Sequence, residues 1–418
     1  MGVAEDLSTN RLPYILPLLG EVVSQAVPLA KPQIDLAQIG SQARPIAVLH
    51  VFRYFRPDFT GEGLYLEKLA PLFGAFGLKS DLVVEGTRPP AGGDRLGGLG
   101  RVTYFGRATP RICLVSAPLT AWFIRHAWRY DVVHFHSVVE RSFLLHLVSS
   151  LFGCRVVQSC TLDDSLGRLV NDYRPRYRPL VRRLCGLIDA VVAISPKLYD
   201  DSITVLPPER VHLIPQGVIA PDLAAVDRAS LRAEWGFAAD DVVLLFVGGL
   251  CARKDVKFLI ENHQGRVAGA RVWLVVVGPD LEDVCAAGLR AMAAFSPFND
   301  TIMFVGYRDD PSAVYSVADV FVFASRSEGF GNVLLEAMSY ALPVVSRRLP
   351  GVTDYFIEHG QNGFLFDTAT EYADSVRELA EQPRLRQSVG AAARTSVATR
   401  FDLGAIAARY VAVYRDKA

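Results

Sequence analysis

Val320-Phe-Val-Phe-Ala-Ser-Arg-Ser-Glu-Gly-Phe-Gly-Asn-Val-Leu-Leu-Glu-Ala-Met338 decides how this chain is read. Its first four residues, Val320 to Phe323, have the unbroken hydrophobicity of a strand buried on both faces. A glycine loop follows, then a helix start near Asn332. Gly329 and Gly331 let backbone N–H groups approach a ligand closely, and the first turn after Asn332 offers unpaired donors and a partial positive charge. A phosphate fits such a place. Glu328 falls in the loop before the helix and Glu336 in its second turn, so the two carboxylates reach different parts of one ligand. Carboxylates beside a phosphate site are best explained as hydroxyl acceptors, which points to ribose and sugar.

Outward from this stretch the same alternation recurs. Asp241-Val-Val-Leu-Leu-Phe-Val247, Val272-Trp-Leu-Val-Val-Val277, Ile302-Met-Phe-Val305 and Pro343-Val-Val345 read as strands between helical segments. A separate series occupies the first half: Ile46 to Val51, Asp131 to His136, Arg155 to Ser159, Ala190 to Ile194, and Val211 onward to Gly217. After Val51 a loop running to Gly63 leads into a helical pattern from Leu64 to Phe73. Two α/β domains in tandem place ligands in the cleft between them, at the carboxyl ends of the strands.

The bulk composition agrees. At 418 residues and half hydrophobic, the chain has material for two cores. Lys plus Arg equals Asp plus Glu at 44 each, so no global field attracts nucleic acid, and none is expected as a partner. The scattered cysteines form no C-x-x-C pair or zinc spacing, no Asp-x-Asp occurs, and no metal is expected; the cysteine usage reads as a reducing cytosol. The best candidate membrane span, Leu12 to Ala30, is broken by Pro13, Pro17 and Pro28, so no transmembrane segment is expected. Residues 1–44 read as a partly helical added segment of unassigned role. Arg168, Arg174, Arg176, Arg178, Arg182 and Arg183 form a basic stretch that is either a solvated helix face or a surface for an acceptor or an anionic membrane.

Glu328-Gly-Phe-Gly331, Leu335-Glu-Ala-Met338 and Pro343-Val-Val345 resemble the E-x7-E signature and following strand of glycosyltransferase family 4. Phe246-Val-Gly-Gly-Leu250 with Arg253-Lys254, Ile214-Pro-Gln-Gly-Val218, and Asn362-Gly-Phe-Leu-Phe366 are similar to further family segments, so the likeness covers most of the chain from Pro45. It implies a GT-B fold: two Rossmann-like, doubly wound α/β domains facing across a cleft. The acceptor domain would span 45–217, a linker 218–240, the donor domain 241–400, and a helix over 401–418 would cross back to the first domain. It also implies a retaining, metal-independent hexosyltransferase, taking its donor as a nucleoside diphosphate sugar with UDP favoured over GDP and needing no other cofactor. By the same resemblance Lys254, helped by Arg253, would contact the diphosphate, Glu336 the ribose and Glu328 the donor sugar. The N–H groups of Asn332, Val333 and Leu334 would complete the phosphate site, with Gly248 and Gly331 close to the donor. Gly61 and Gly63 would lie in a loop that closes over the diphosphate. A lipid-linked saccharide or surface polysaccharide is the expected acceptor, with the enzyme in the cytoplasm and in peripheral contact with the membrane.

Three positions depart from the family pattern. Gly249 stands where an arginine is usual, Thr161 where a histidine often follows the strand, and Ala341 where a glycine is common. Several residues also admit bland readings. Gly248 and Gly249 suit a tight turn, His134 and His136 face one way from a buried strand, and Asp163 is as well explained by helix capping as by substrate contact. Four rivals follow. A dinucleotide oxidoreductase lacks its G-x-G-x-x-G, a sugar-nucleotide epimerase shares the fold, and a membrane adaptor leaves the donor motif unexplained. The fourth, a catalytically silent nucleotide-sugar-binding subunit, is the alternative to an enzyme.

Overall fold

The computed structural model describes residues 44–55, 61–86, 97–105, 117–137, 142–161, 165–308 and 310–416. The extension over 1–43 and the candidate Asp163 lie outside the described residues. Two parallel sheets organise the rest. The first contains β1 (Ile46–Phe52), β2 (Leu78–Val84), β3 (Val102–Tyr104), β4 (Val132–Phe135), β5 (Arg155–Cys160), β6 (Ala190–Ala193) and β7 (Val211–Leu213). Its order is β3-β2-β1-β4-β5-β6-β7. The second contains β8 (Val242–Val247), β9 (Arg266–Val267), β10 (Ala270–Val277), β11 (Ile302–Gly306), β12 (Val320–Phe323), β13 (Val344–Arg347) and β14 (Phe364–Phe366). It runs β11-β10-β8-β12-β13-β14, with β9 antiparallel on β10. Both are doubly wound, and the strand order reverses between β1 and β4 and between β8 and β12. Loops leaving those strands border a crevice at each switch point.

The apolar runs become central strands because helices cover both faces: β4, β6 and β12 are buried at every residue. The polar start of β2, Leu78-Lys-Ser-Asp, and the shortness of β3 and β14 hide those strands from periodicity. The first helix begins at Gly61, three residues before the pattern suggests, and runs to Ala75. Gly61 and Gly63 therefore form its opening turn rather than a loop, which puts Glu62 at a helix N-terminus.

The Gly61–Ala75 helix and the terminal Leu403–Arg415 helix cover one face of the first sheet. Leu66, Phe73, Ile406, Tyr410 and Tyr414 pack there on Val48, Val132 and Val192. The crossing at Gly217 is close: a Cβ would lie 2.9 Å from Leu403 Cα and 3.0 Å from the Phe401 carbonyl oxygen. Val218 N donates to Phe401 O and Leu403 N to Val218 O, tying the two passages together. Within 218–240 the Arg228–Glu234 helix docks on the second sheet through Arg228 and Arg232, which pair with buried Asp319 at 2.7 and 2.8 Å. Asp319 in turn accepts from Val243 N at 2.9 Å.

Candidate active site

The donor-side residues converge at the carboxyl ends of β8 and β12. Gly331, at φ 100°, supplies the left-handed turn that starts the Asn332–Ser339 helix. The helix mouth is smaller than the motif implies. Leu334 N already donates to Gly331 O at 2.9 Å, so the Asn332 and Val333 amides are the ones left open at the helix mouth. Two buried atoms beside this mouth, Asn332 Oδ1 and Ser325 Oγ, have no hydrogen-bond partner among the described residues. Groups left this way await a ligand or water.

Glu328 is 6% exposed and takes both expected cations on one oxygen: Lys254 Nζ at 2.6 Å and Arg253 Nη1 at 2.7 Å. Arg253 also donates to Ser327 O at 2.7 Å. Two cations around one carboxylate leave a net positive charge where a diphosphate would dock. The turn that carries them is fixed from below. Asp255, at φ 50°, occupies a left-handed position and is itself buried, pairing with Arg326 at 2.9 Å and Arg347 at 3.1 Å.

At Gly249, where the resemblance expects an arginine, the half-exposed Leu281 side chain lies over the backbone. A Cβ there would lie 2.2 Å from Leu281 Cδ1, so a larger side chain would have to displace that leucine. Arg253 reaches in from the next turn instead. Gly248 donates its N–H to Val277 O, and its carbonyl oxygen would be 1.9 Å from a Cβ on Gly278. Close backbone approach accounts for both glycines, and a Cβ on Gly248 would also meet the Phe246 ring at 3.1 Å.

Glu336 receives Tyr315 OH at 3.0 Å on one oxygen and Lys68 Nζ at 2.7 Å on the other. Lys68 belongs to the first domain, so this ion pair spans the cleft. Burial, together with Glu336 nearby, holds the Tyr315 hydroxyl well above the ordinary tyrosine range, which keeps it a donor. Neither Lys68 nor Tyr315 carries a motif, and neither was singled out in the sequence.

On the first domain His134 and His136 do face one way and meet His50 from β1. Nitrogens of the three rings fall within 4.8 Å of one another, a spacing a metal ion could bridge. Hydrogen bonding already engages every one of them. His134 contacts Tyr414 OH at 2.7 Å and Ser159 Oγ at 2.8 Å. His136 contacts His50 at 2.9 Å and Glu62 at 3.1 Å, and the second His50 nitrogen lies 3.4 Å from Ser80 Oγ. Burial holds all three imidazoles below their ordinary range, His50 down to about 3, so they are neutral. Thr161, where a histidine was the family expectation, lies 3.3 Å from the other Glu62 oxygen.

Comparison with known proteins agrees with this geometry. Residues 60–220 match the model described as Glycosyltransferase Family 4, and residues 241–382 that described as Glycosyl transferases group 1. The chain is similar to the N-acetyl-alpha-D-glucosaminyl L-malate synthase of Bacillus anthracis, 24% identical over 68% of this chain and 74% of that protein. It is also similar to the D-inositol 3-phosphate glycosyltransferase of Acidothermus cellulolyticus, 27% identical over 86% of each. Among solved structures, HepE of Anabaena in complex with UDP and glucose superposes with a TM-score of 0.72 at 20% identity, over 89% of this chain and all of that one.

Proposed function

Since the chain belongs to glycosyltransferase family 4 and has the GT-B fold, we propose that it transfers a hexosyl unit, with retention, from a nucleoside diphosphate sugar to a saccharide or lipid-linked saccharide. UDP is favoured over GDP as the nucleotide, and the setting is surface polysaccharide or glycolipid synthesis. The observation that carries this reading is the cluster of Lys254, Arg253 and Glu328 beside the open amides of Asn332 and Val333.

As the sugar C1–O bond to the diphosphate breaks, charge grows on the leaving phosphate and the ring becomes oxocarbenium-like. Fixed cations and a helix N-terminus oppose that charge without reorganising. Lys254 and Arg253 are held side by side before the donor arrives, so no metal is required for this task. The acceptor oxygen bonds to C1 on the face the phosphate leaves, and its proton passes to the departing phosphate oxygen. Glu336 accepts from the ribose hydroxyls once Lys68 yields its place, and Glu328 from the donor sugar. Interdomain closure about Gly217 and the Phe401 crossing would shed water from the cleft.

The outer face of the first domain supports peripheral docking at an anionic membrane on the cytoplasmic side. Leu144, Leu147 and Leu151 line one face of the Phe143–Leu151 helix, and Ile124 and Trp128 are exposed on the segment packed against it. Trp128 is 61% and Leu151 76% exposed, so large apolar groups face solvent on this side. Among the described residues no helix is long and apolar enough to cross a membrane. Flotation with phosphatidylglycerol vesicles tests the docking: Leu151→Ser with Trp128→Ser should reduce the bound fraction, and an unchanged fraction counts against it.

Calorimetry and diphosphate release with a panel of sugar nucleotides test the central reading. One donor should bind, lose affinity in Glu336→Ala and Lys254→Ala, and be hydrolysed slowly. Binding without turnover under any acceptor would favour the silent subunit, and no binding would defeat the reading.

A further inference from the structure

The Glu62 carboxylate stands at the open end of a buried line of side chains that the transfer chemistry above does not use. From Glu62 Oε1 the line passes to His136 Nδ1 at 3.1 Å, from His136 Nε2 to His50 Nδ1 at 2.9 Å, and from His50 Nε2 to Ser80 Oγ at 3.4 Å. Its direction follows from the chemistry of the ends. An ionised carboxylate only accepts, so His136 carries its proton on Nδ1 and accepts on Nε2. His50 then donates from Nδ1 and accepts from the Ser80 hydroxyl. Each imidazole is neutral and each has one tautomer, so the line is a fixed support rather than a set of exchangeable contacts.

Glu62 opens into a small pocket at the carboxyl ends of β5 and β7, shared with Thr161, Tyr65 and Gln216. Gln216 is 4% exposed, and its Oε1 has no hydrogen-bond partner among the described residues. The polar lining contains a carboxylate, hydroxyls, an amide and the His136 ring but no lysine or arginine, the remaining wall includes Leu66, Leu69, Phe73 and Ile194, and the space fits about one water-sized group, which suits a single neutral hydroxyl and opposes an anion. Six residues along the same helix, on the order of 9 Å of rise, Lys68 touches Glu336 across the cleft. The helix that carries Glu62 therefore also borders the site around Glu336.

We propose that Glu62 binds a saccharide hydroxyl at the reaction centre, with Thr161 and Gln216 completing the subsite and His136 and His50 acting as positioning residues. This rests on the glycosyltransferase reading. The hydroxyl comes from the donor hexose or from the acceptor, and the test separates these sources.

Calorimetry of the full chain with UDP, UDP-glucose, GDP and GDP-mannose is combined with nucleotide release in the presence of p-nitrophenyl glycosides or of water alone. Glu62→Gln should leave nucleoside diphosphate affinity within about 2-fold and lower nucleotide release by about 10-fold or more, the scale of one hydrogen bond to a charged group. Weakened binding of the sugar nucleotide but not of the diphosphate assigns the hydroxyl to the donor; a raised acceptor KM assigns it to the acceptor. For the positioning role, His50→Leu removes the donor to His136 and should lower release, whereas His50→Gln retains an N–H and should restore part of it. Unchanged release and affinities in Glu62→Gln, or an equal loss of diphosphate affinity, overturns the proposal; equal loss in the two His50 variants overturns the positioning role. If the wild type binds no nucleotide, the donor reading itself fails and takes this one with it.

Discussion

The two halves of the cleft use opposite electrostatics. On the donor side, Glu328, Arg253, Lys254 and Glu336 are ion-paired. On the facing side, His50, His134 and His136 are buried and neutral, and a single carboxylate, Glu62, opens from them. The difference matches what each half would hold under the proposed function. A diphosphate needs fixed cations, whereas a sugar hydroxyl needs an oriented acceptor and no competing charge.

The sharpest way to break the comparison is on the charged side. Lys254→Ala should cost about 3 kcal/mol of nucleotide binding, roughly 100-fold in Kd, because a charge-assisted contact is lost from a shielded site. Titration calorimetry measures it, and affinity in the wild type should also fall as salt rises. A Kd within a few-fold of wild type would remove Lys254 from the donor site.

The neutral side should announce itself through pH. His50 titrates at about 3 in the fold because burial disfavours the imidazolium, against 6.5 as the ordinary value. Between those values the unfolded chain binds a proton that the folded chain does not. Stability is therefore fully present above about pH 6.5 and is lost as pH falls, by up to about 1.4 kcal/mol per unit from this residue. Denaturant titrations at pH 7 and pH 5 should show that His50→Leu reduces the slope. An identical slope would mean that His50 is not held neutral.

A smaller effect concerns a position outside both clusters. Ala341 sits at φ 58°, the left-handed region that glycine adopts without strain. Ala341→Gly should raise stability by about 1 kcal/mol, read from the urea midpoint, since relief of the strained backbone exceeds the added chain entropy.

The contact between the halves should be worth least. Lys68 is 46% exposed, so its pair with Glu336 contributes under about 1 kcal/mol to stability. Lys68→Ala should raise nucleotide affinity by about 2-fold by freeing the carboxylate, and a marked loss of affinity would make Lys68 a donor ligand instead.

Legibility divided along the same line. The donor side was readable because its residues lie in two short segments, 253–254 and 328–336, each a turn whose geometry follows from local glycines and a helix start. Even there, only the structure showed that Leu334 N is already used, that Leu281 occupies the space beside Gly249, and that Asp255 braces the turn. On the other side, strand period correctly put His134 and His136 on one face, but nothing local linked them to His50, Ser80 or Glu62. Glu62 was passed over because the helix was expected to start at Leu64; its first turn contains two glycines, which weaken the helical pattern.

By itself, the sequence determined the α/β class, the tandem sheets and the donor motif, because apolar runs and glycine turns act over a few residues. Tertiary structure decided which distant groups meet: Lys68 with Glu336, His136 with Glu62, and Tyr414 with His134. Those meetings depend on strand order, on the close crossing at Gly217 and on how the terminal helix folds back. Contacts of that kind are fixed by the packing of the whole chain, and no local spacing encodes them.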